Sequence, residues 1–334
     1  MVQSKQSKIV ANASERLTMV KNFITNTKIA TTIPWDPDCT VFPKRNELPS
    51  IPGAPEGAAW VWGPEDNIGR LNLLTPTRVA AASREIRTGE IVSVNLPLNV
   101  PEQPGFAREQ FEHKIKCLAP GVAYDDIYHM NTQSGTQWDG FRHFAHMPTG
   151  TFYNNTKDGD IQGPHANDKC SIHYLANHGI AGRGILIDYR GYAERHNIHY
   201  NVWDNYKITH SELAACAKEQ GIDILPAAQG GDIQIGDILF VRTGWVQAYH
   251  ATDPEERKRL ALRDHQVGPS DGQRYAGLAQ EDKMLDWLHD CYFAAVAGDA
   301  PSFEAWPSEK GTVSIMSMAL GLESIATSER LTRT

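Results

Sequence analysis

Apolar residues in this chain come in short runs punctuated by glycine and proline, and the runs change period along the sequence. GRGILIDYRG (182 to 191) and IGDILFVRTGW (235 to 245) are brief, continuous and glycine-rich at their edges, which predicts buried strands. SELAACAKEQ (211 to 220) predicts a helix: Thr209 and Glu212 pair as a capping box ahead of it, and Gly221 stops it. LAQEDKMLDWLHDC (278 to 291) has helical spacing and leads into a further strand, YFAAVAGD. Upstream, Thr75 and Pro76 open a helix that Gly89 closes. IVSVNLPLNV (91 to 100) alternates β-branched and polar residues and predicts a strand, as do FEHKIKCL and DDIYHMNTQ. Residues 35 to 65, containing PWDP and LPSIPGAPEG, predict extended coil over a surface.

Strands and helices alternate without a fixed repeat or a linker. The pattern therefore predicts one α/β domain spanning 35–330, its regular elements starting near residue 50, behind an N-terminal arm of residues 1–34. A mixed β-sheet or partly closed β-barrel flanked by helices is the expected core. The 334 residues are 41% hydrophobic and include eight tryptophans, enough for a substantial core. A net charge of -8 argues against nucleic acid or an anionic membrane as partner. No apolar run approaches the roughly 18 residues that span a bilayer. Five scattered cysteines without CxxC spacing point to reduced thiols and a cytoplasmic setting rather than a disulfide framework. The arm carries five basic residues against Glu15, which partly fits a mitochondrial presequence. With a single arginine among them, an arm that packs on a partner or stays mobile is the reading we adopt.

The stretch from Asn131 to His146, NTQSGTQWDGFRHFAH, concentrates the chemistry. Asp139, His143 and His146 can bind a cation or move a proton, and Gln133 and Gln137 lie just upstream. Gln133-Ser-Gly135-Thr136-Gln137-Trp-Asp139-Gly-Phe-Arg-His143 follows the spacing of the signature HxGTHxDxPxH and so resembles the cyclase family, which includes bacterial kynurenine formamidase and isatin hydrolase. WGPEDNIGRLNLLTP (62 to 76) and FAAVAGDAPSFEAWP (293 to 307) resemble its larger fungal branch. The resemblance implies a swivelling β/β/α fold and a homodimer or larger assembly acting on a small molecule. It also implies metal-ligand slots at Gln133, Gln137 and Asp139 and a proton shuttle at His143. A histidine and a glutamate near the C-terminus would complete the metal site, yet no histidine follows His289, and Glu323, in a tail that aligns poorly, is a candidate for the glutamate.

Amides at two ligand slots change the expected chemistry. A carboxamide oxygen is a neutral, weak ligand, whereas zinc prefers thiolate, imidazole and carboxylate. No tight metal cofactor is therefore expected; a loosely bound Mg²⁺ or Ca²⁺ on Asp139, Gln133 and Gln137 is the alternative. A metal lowers the pKa of bound water from about 15.7 to about 7. A lone imidazole base offers only about 10²–10⁴ in rate.

His143 is the expected general base and acid, with Asp139 orienting it, although Asp139 could instead cap the turn at Gly140. Gln133 and Gln137 would donate N–H to an oxyanion or simply satisfy buried backbone. Trp138, Phe141 and Phe144 would wall an aromatic pocket, Arg142 would face a carboxylate or phenolate, and His146 would line the pocket. Glu304 is an additional acid–base candidate; Trp245 and Trp306 read as core or pocket aromatics.

Three functions remain open on these residues. The first is hydrolysis or ring closure of an amide, ester or lactone of an aryl or cyclic substrate. The second is a metal-independent lyase or isomerase. The third is a silent homologue that only binds a ligand, against which the retention of Asp139 and His143 argues.

Overall fold

The computed structural model describes residues 28 to 55, 58 and 60 to 308. Residues 1 to 27 of the arm, Glu323 and the rest of the tail lie outside the described residues.

The glycine-bounded apolar runs form the centre of the molecule. Strands β3 (Gly184–Ile187), β5 (Ile238–Val241) and β7 (Ala295–Gly298) make a parallel sheet in the order β3-β5-β7. All four β7 residues are buried, and Leu239 and Ile187 are fully so. Helices Tyr189–Arg195, His210–Glu219 and Asp282–Asp290 supply Ala193, Leu213, Met284 and Leu288 to the core cluster around Ile187, Leu239 and Val296. Truncating such a residue to alanine costs about 2–5 kcal/mol. β4 (Lys207–Ile208) and β6 (Gly277–Leu278) form a short parallel pair, and β1 (Glu112–Ala119) with β2 (Ala123–His129) forms an antiparallel hairpin. Among the described residues the strands form three separate sheets. The α/β class and the mixed strand pairing are as expected, and no barrel closes among the described residues.

Local signals fared unevenly. The capping box is present: Thr209 Oγ1 accepts from Glu212 N at 3.3 Å, and Glu212 Oε2 accepts from Thr209 N at 2.8 Å. The first helix runs Pro76–Ala82 and tightens into a 3₁₀ turn before Gly89, which has φ +73°. Residues 91 to 100, by contrast, form no strand: Ile91 is 94% exposed, and no described strand pairs with the segment. Pro97 removes a ladder donor there, so alternation lacked both partner and continuity. β2 ends at His129 rather than continuing to Gln133, because Asn131 turns the chain. Its Oδ1 accepts from Gln133 N at 2.9 Å and its carbonyl accepts from Ser134 N at 3.0 Å.

The carboxyl ends of β5 and β7 are tied together. Asp299, just beyond β7, accepts from Thr243 N (2.6 Å), Thr243 Oγ1 (2.7 Å) and Gly244 N (2.9 Å), just beyond β5. Gly244 has φ +87°, and a Cβ there would meet Arg190 side-chain carbons at 2.6 Å, so only glycine fits. From this junction the chain delivers Trp245 on one side and Ala300 and Pro301 on the other to the wall of a pocket. Ligand pockets of open parallel sheets lie outside the carboxyl ends of the strands.

Candidate active site

Asn131 to His146 is a loop of turns without helix or strand. Three ties fix it: Leu96 N donates to Thr136 Oγ1 at 2.8 Å, Arg108 Nη1 donates to the Gln133 carbonyl at 2.8 Å, and His143 N closes a turn on Gly140 O at 2.8 Å. Gly135 comes so close to the Val100 carbonyl that a Cβ would sit 3.1 Å from its oxygen, which presses the loop onto residues 96 to 108.

Within this loop the two glutamines bind each other. Gln137 Nε2 donates to Gln133 Oε1 at 3.2 Å, while Gln137 Oε1 is buried without a hydrogen-bond partner. Asp139 is buried at 7% exposure and His143 is half-buried. The His143 ring makes no side-chain hydrogen bond to a described residue, so Asp139 acts on it through charge rather than as a hydrogen-bonded orienter. Burial lowers the His143 pKa below its ordinary value; Asp139 opposes that shift and Arg108 adds to it. The ring is therefore neutral at pH 7 and able to accept a proton.

Gln133 and Gln137 join this loop to a pocket, or slot, of about 680 Å³. Trp203, Trp245 and Tyr275 supply aromatic wall, and Arg108 and Arg257 supply charge. Arg257 lies over the Tyr249 ring and 3.6 Å from Glu102. Arg108 lies over Phe106, with its Cζ 4.9 Å from the ring centre. Phe106 (φ 58°) and Ala107 (φ 54°) hold consecutive left-handed conformations just before it. Such residues cost about 1–3 kcal/mol each and persist where surroundings impose them.

The sequence-predicted residues separate into those at the slot and those away from it. Gln133 and Gln137 line it; Asp139 and His143 do not, and are linked to it through the charge of Arg108, which does. Phe144 packs with the Trp203 and Trp245 cluster. Phe141, expected as pocket wall, is core: it stacks on Tyr153 at 4.4 Å, and Trp138 packs in the same cluster. Arg142, expected to face an anion, donates to the carbonyls of Lys169 (2.6 Å) and Asn167 (2.7 Å), so its fork is engaged by backbone. His146 pairs with Thr149 Oγ1 at 2.9 Å in a tight turn away from the slot. Glu304 is fully buried in a bridge with Leu278, and Ser308 Oγ donates to it at 3.4 Å. Trp306 packs edge-on against Phe106.

Arg108, Trp203, Arg257 and Tyr275 escaped sequence reasoning because none belongs to a motif. Trp245 carried a usable signal, since it follows the glycine that ends a predicted buried strand.

The described residues at the motif loop do not fit a zinc or manganese ion. Among the described residues no group of three or more histidine, cysteine, aspartate and glutamate side chains gathers. Gln137 turns an N–H, not an oxygen, toward Gln133, and the Arg108 cation stands close enough to act on Asp139 and His143. Two amides, one carboxylate and a neighbouring cation form a poor donor set.

Comparison with known proteins bears on this architecture. The Cyclase family model matches residues 32–305. A solved structure described as a novel cyclase is 24% identical with a TM-score of 0.63, covering 81% of this chain and 86% of its own. Isatin hydrolase A from Ralstonia solanacearum is 14% identical with a TM-score of 0.45, covering 76% and 86%. No curated protein matches the chain. No described helix is long and apolar enough to cross a membrane. With the fold shared and the match extending over most of the sequence, the chain belongs to the cyclase family.

Proposed function

We propose that this chain is a hydrolase or cyclase acting on an amide, ester or lactone of an aryl or cyclic small molecule, with His143 as general base and acid. One observation carries the reading: a half-buried imidazole, its pKa lowered by burial, lies under the opposing fields of Asp139 and Arg108, and Arg108 itself lines an aromatic slot. In hydrolysis, His143 takes a proton from water as its oxygen bonds to the acyl carbon. Gln133 Nε2, which makes no hydrogen bond to another described residue, donates to the oxyanion. As the C–N or C–O bond breaks, His143 returns the proton to the leaving atom. Asp139 stabilises the imidazolium between the two transfers. In the same reading the chain is cytoplasmic and forms a homodimer or larger assembly, which sedimentation measures directly.

The amide donor set favours a second reading. Without strong metal ligands, proton transfer on a carbonyl compound (dehydration, isomerisation or ring closure) asks less of one imidazole than making hydroxide does. A panel of aryl amides, esters and lactones, followed for both hydrolysis and rearrangement, separates the two. Turnover unchanged in His143→Ala overturns both.

A further inference from the structure

The residues lining the slot leave three buried donors unpaired against one buried acceptor, Gln137 Oε1. Trp203 and Trp245 line it, are each more than nine-tenths buried, and leave their indole Nε1 atoms without an acceptor. Arg257 lines the same slot with its Nε buried and also without an acceptor. Buried donors almost always find a partner, so three orphans around one cavity are unusual. Arg108 adds a second guanidinium, on which Asp139 acts through charge. Arg257 has Glu102 at 3.6 Å, whereas Arg108 has no ion-pair partner among the described residues. One guanidinium nitrogen of Arg108 is used on the Gln133 carbonyl, and the Phe106 ring supports its face.

We propose that the slot is an anion seat, in which Arg108, assisted by the indole N–H groups of Trp203 and Trp245, holds the carboxylate of a planar aromatic ligand. The inference rests on the proposed function only in taking that ligand as the substrate. A carboxylate supplies the acceptors that the buried donors lack, and charge-assisted bonds to a guanidinium are the strongest available to it. Trp203, Trp245 and Tyr275 offer ring faces for the aryl portion.

Calorimetric titration of the full chain with benzoate and with its neutral isostere benzamide tests the seat. Wild type is expected to bind benzoate about tenfold or more tightly than benzamide, the preference a charge-assisted bond provides. Arg108→Gln should abolish the preference while leaving benzamide affinity unchanged, which also shows an intact slot. Arg108→Lys, a second variant should the glutamine fold poorly, should keep the sign of the preference and reduce its size. His143→Ala should leave the preference untouched. A preference retained in Arg108→Gln, or absent in wild type, overturns the seat whatever His143→Ala does to turnover. Full turnover in His143→Ala with the benzoate preference intact removes the catalytic reading and leaves the seat standing.

Discussion

Asp299 and Asp139 are both buried carboxylates on loops, and they differ in the groups they act on. Asp299 accepts three hydrogen bonds from Thr243 and Gly244 and so welds the ends of β5 and β7. Burial pushes its pKa up while those bonds resist. Asp139 exerts its influence through charge, on a half-buried histidine and a nearby arginine. A carboxylate whose surroundings are saturated is architecture. One that works on a group still able to gain or lose a proton is positioned for chemistry. The contrast predicts that damage at the two places will separate into loss of fold and loss of turnover.

The largest effect should come from His143→Ala: turnover falls by about 10²–10⁴ while the denaturant midpoint barely moves. Steady-state kinetics beside a urea titration shows both, and a collapse of stability would erase the contrast. Asp299→Ala should do the reverse, losing about 3–5 kcal/mol of stability because three buried donors are left unpaired. An Asp299→Ala protein with wild-type unfolding would refute its architectural role. Arg142→Ala should fall between, costing about 1–3 kcal/mol through the freed carbonyls of Lys169 and Asn167, with KM for aryl substrates unchanged. A large rise in KM would return Arg142 to the substrate.

The smallest effect is on pH. Since folding lowers the His143 pKa below its ordinary 6.5, the unfolded ring binds more protons than the folded one between the two values. Stability contributed by the neutral ring is thus present above pH 6.5 and is lost as pH falls through the folded pKa. Activity that needs the neutral ring should persist to lower pH than free imidazole allows. NMR titration of the His143 ring measures the shift, and a midpoint above 6.5 would reverse the sign.

The sequence was most legible where one local signal sufficed. The apolar runs of β3, β5 and β7, the capping box at Thr209 and the glycine at 244 each correspond to an element, because burial on both faces, reciprocal caps and positive φ leave compositional traces. Residues 91 to 100 show the limit. Alternation there is real, yet pairing needs a neighbouring strand, which no local pattern specifies. At the site, motif spacing located Asp139 and His143 and the paired glutamines. It overassigned the aromatic and basic residues around them: Phe141 and Arg142 are turned to the core and to backbone carbonyls by contacts with residues 153, 167 and 169. Arg108 and Trp203 lie 25 and more residues from the motif and meet it only through the fold.

The amide-to-amide bond between Gln137 and Gln133 has an implication for how such a centre could be altered. Replacing either partner alone strands the other's N–H or carbonyl, whereas exchanging both at once for imidazoles removes the pair cleanly and offers a cation two nitrogens beside Asp139. Interconversion of the two kinds of centre is thus favoured as a joint step, and either halfway protein should be worse at both trades.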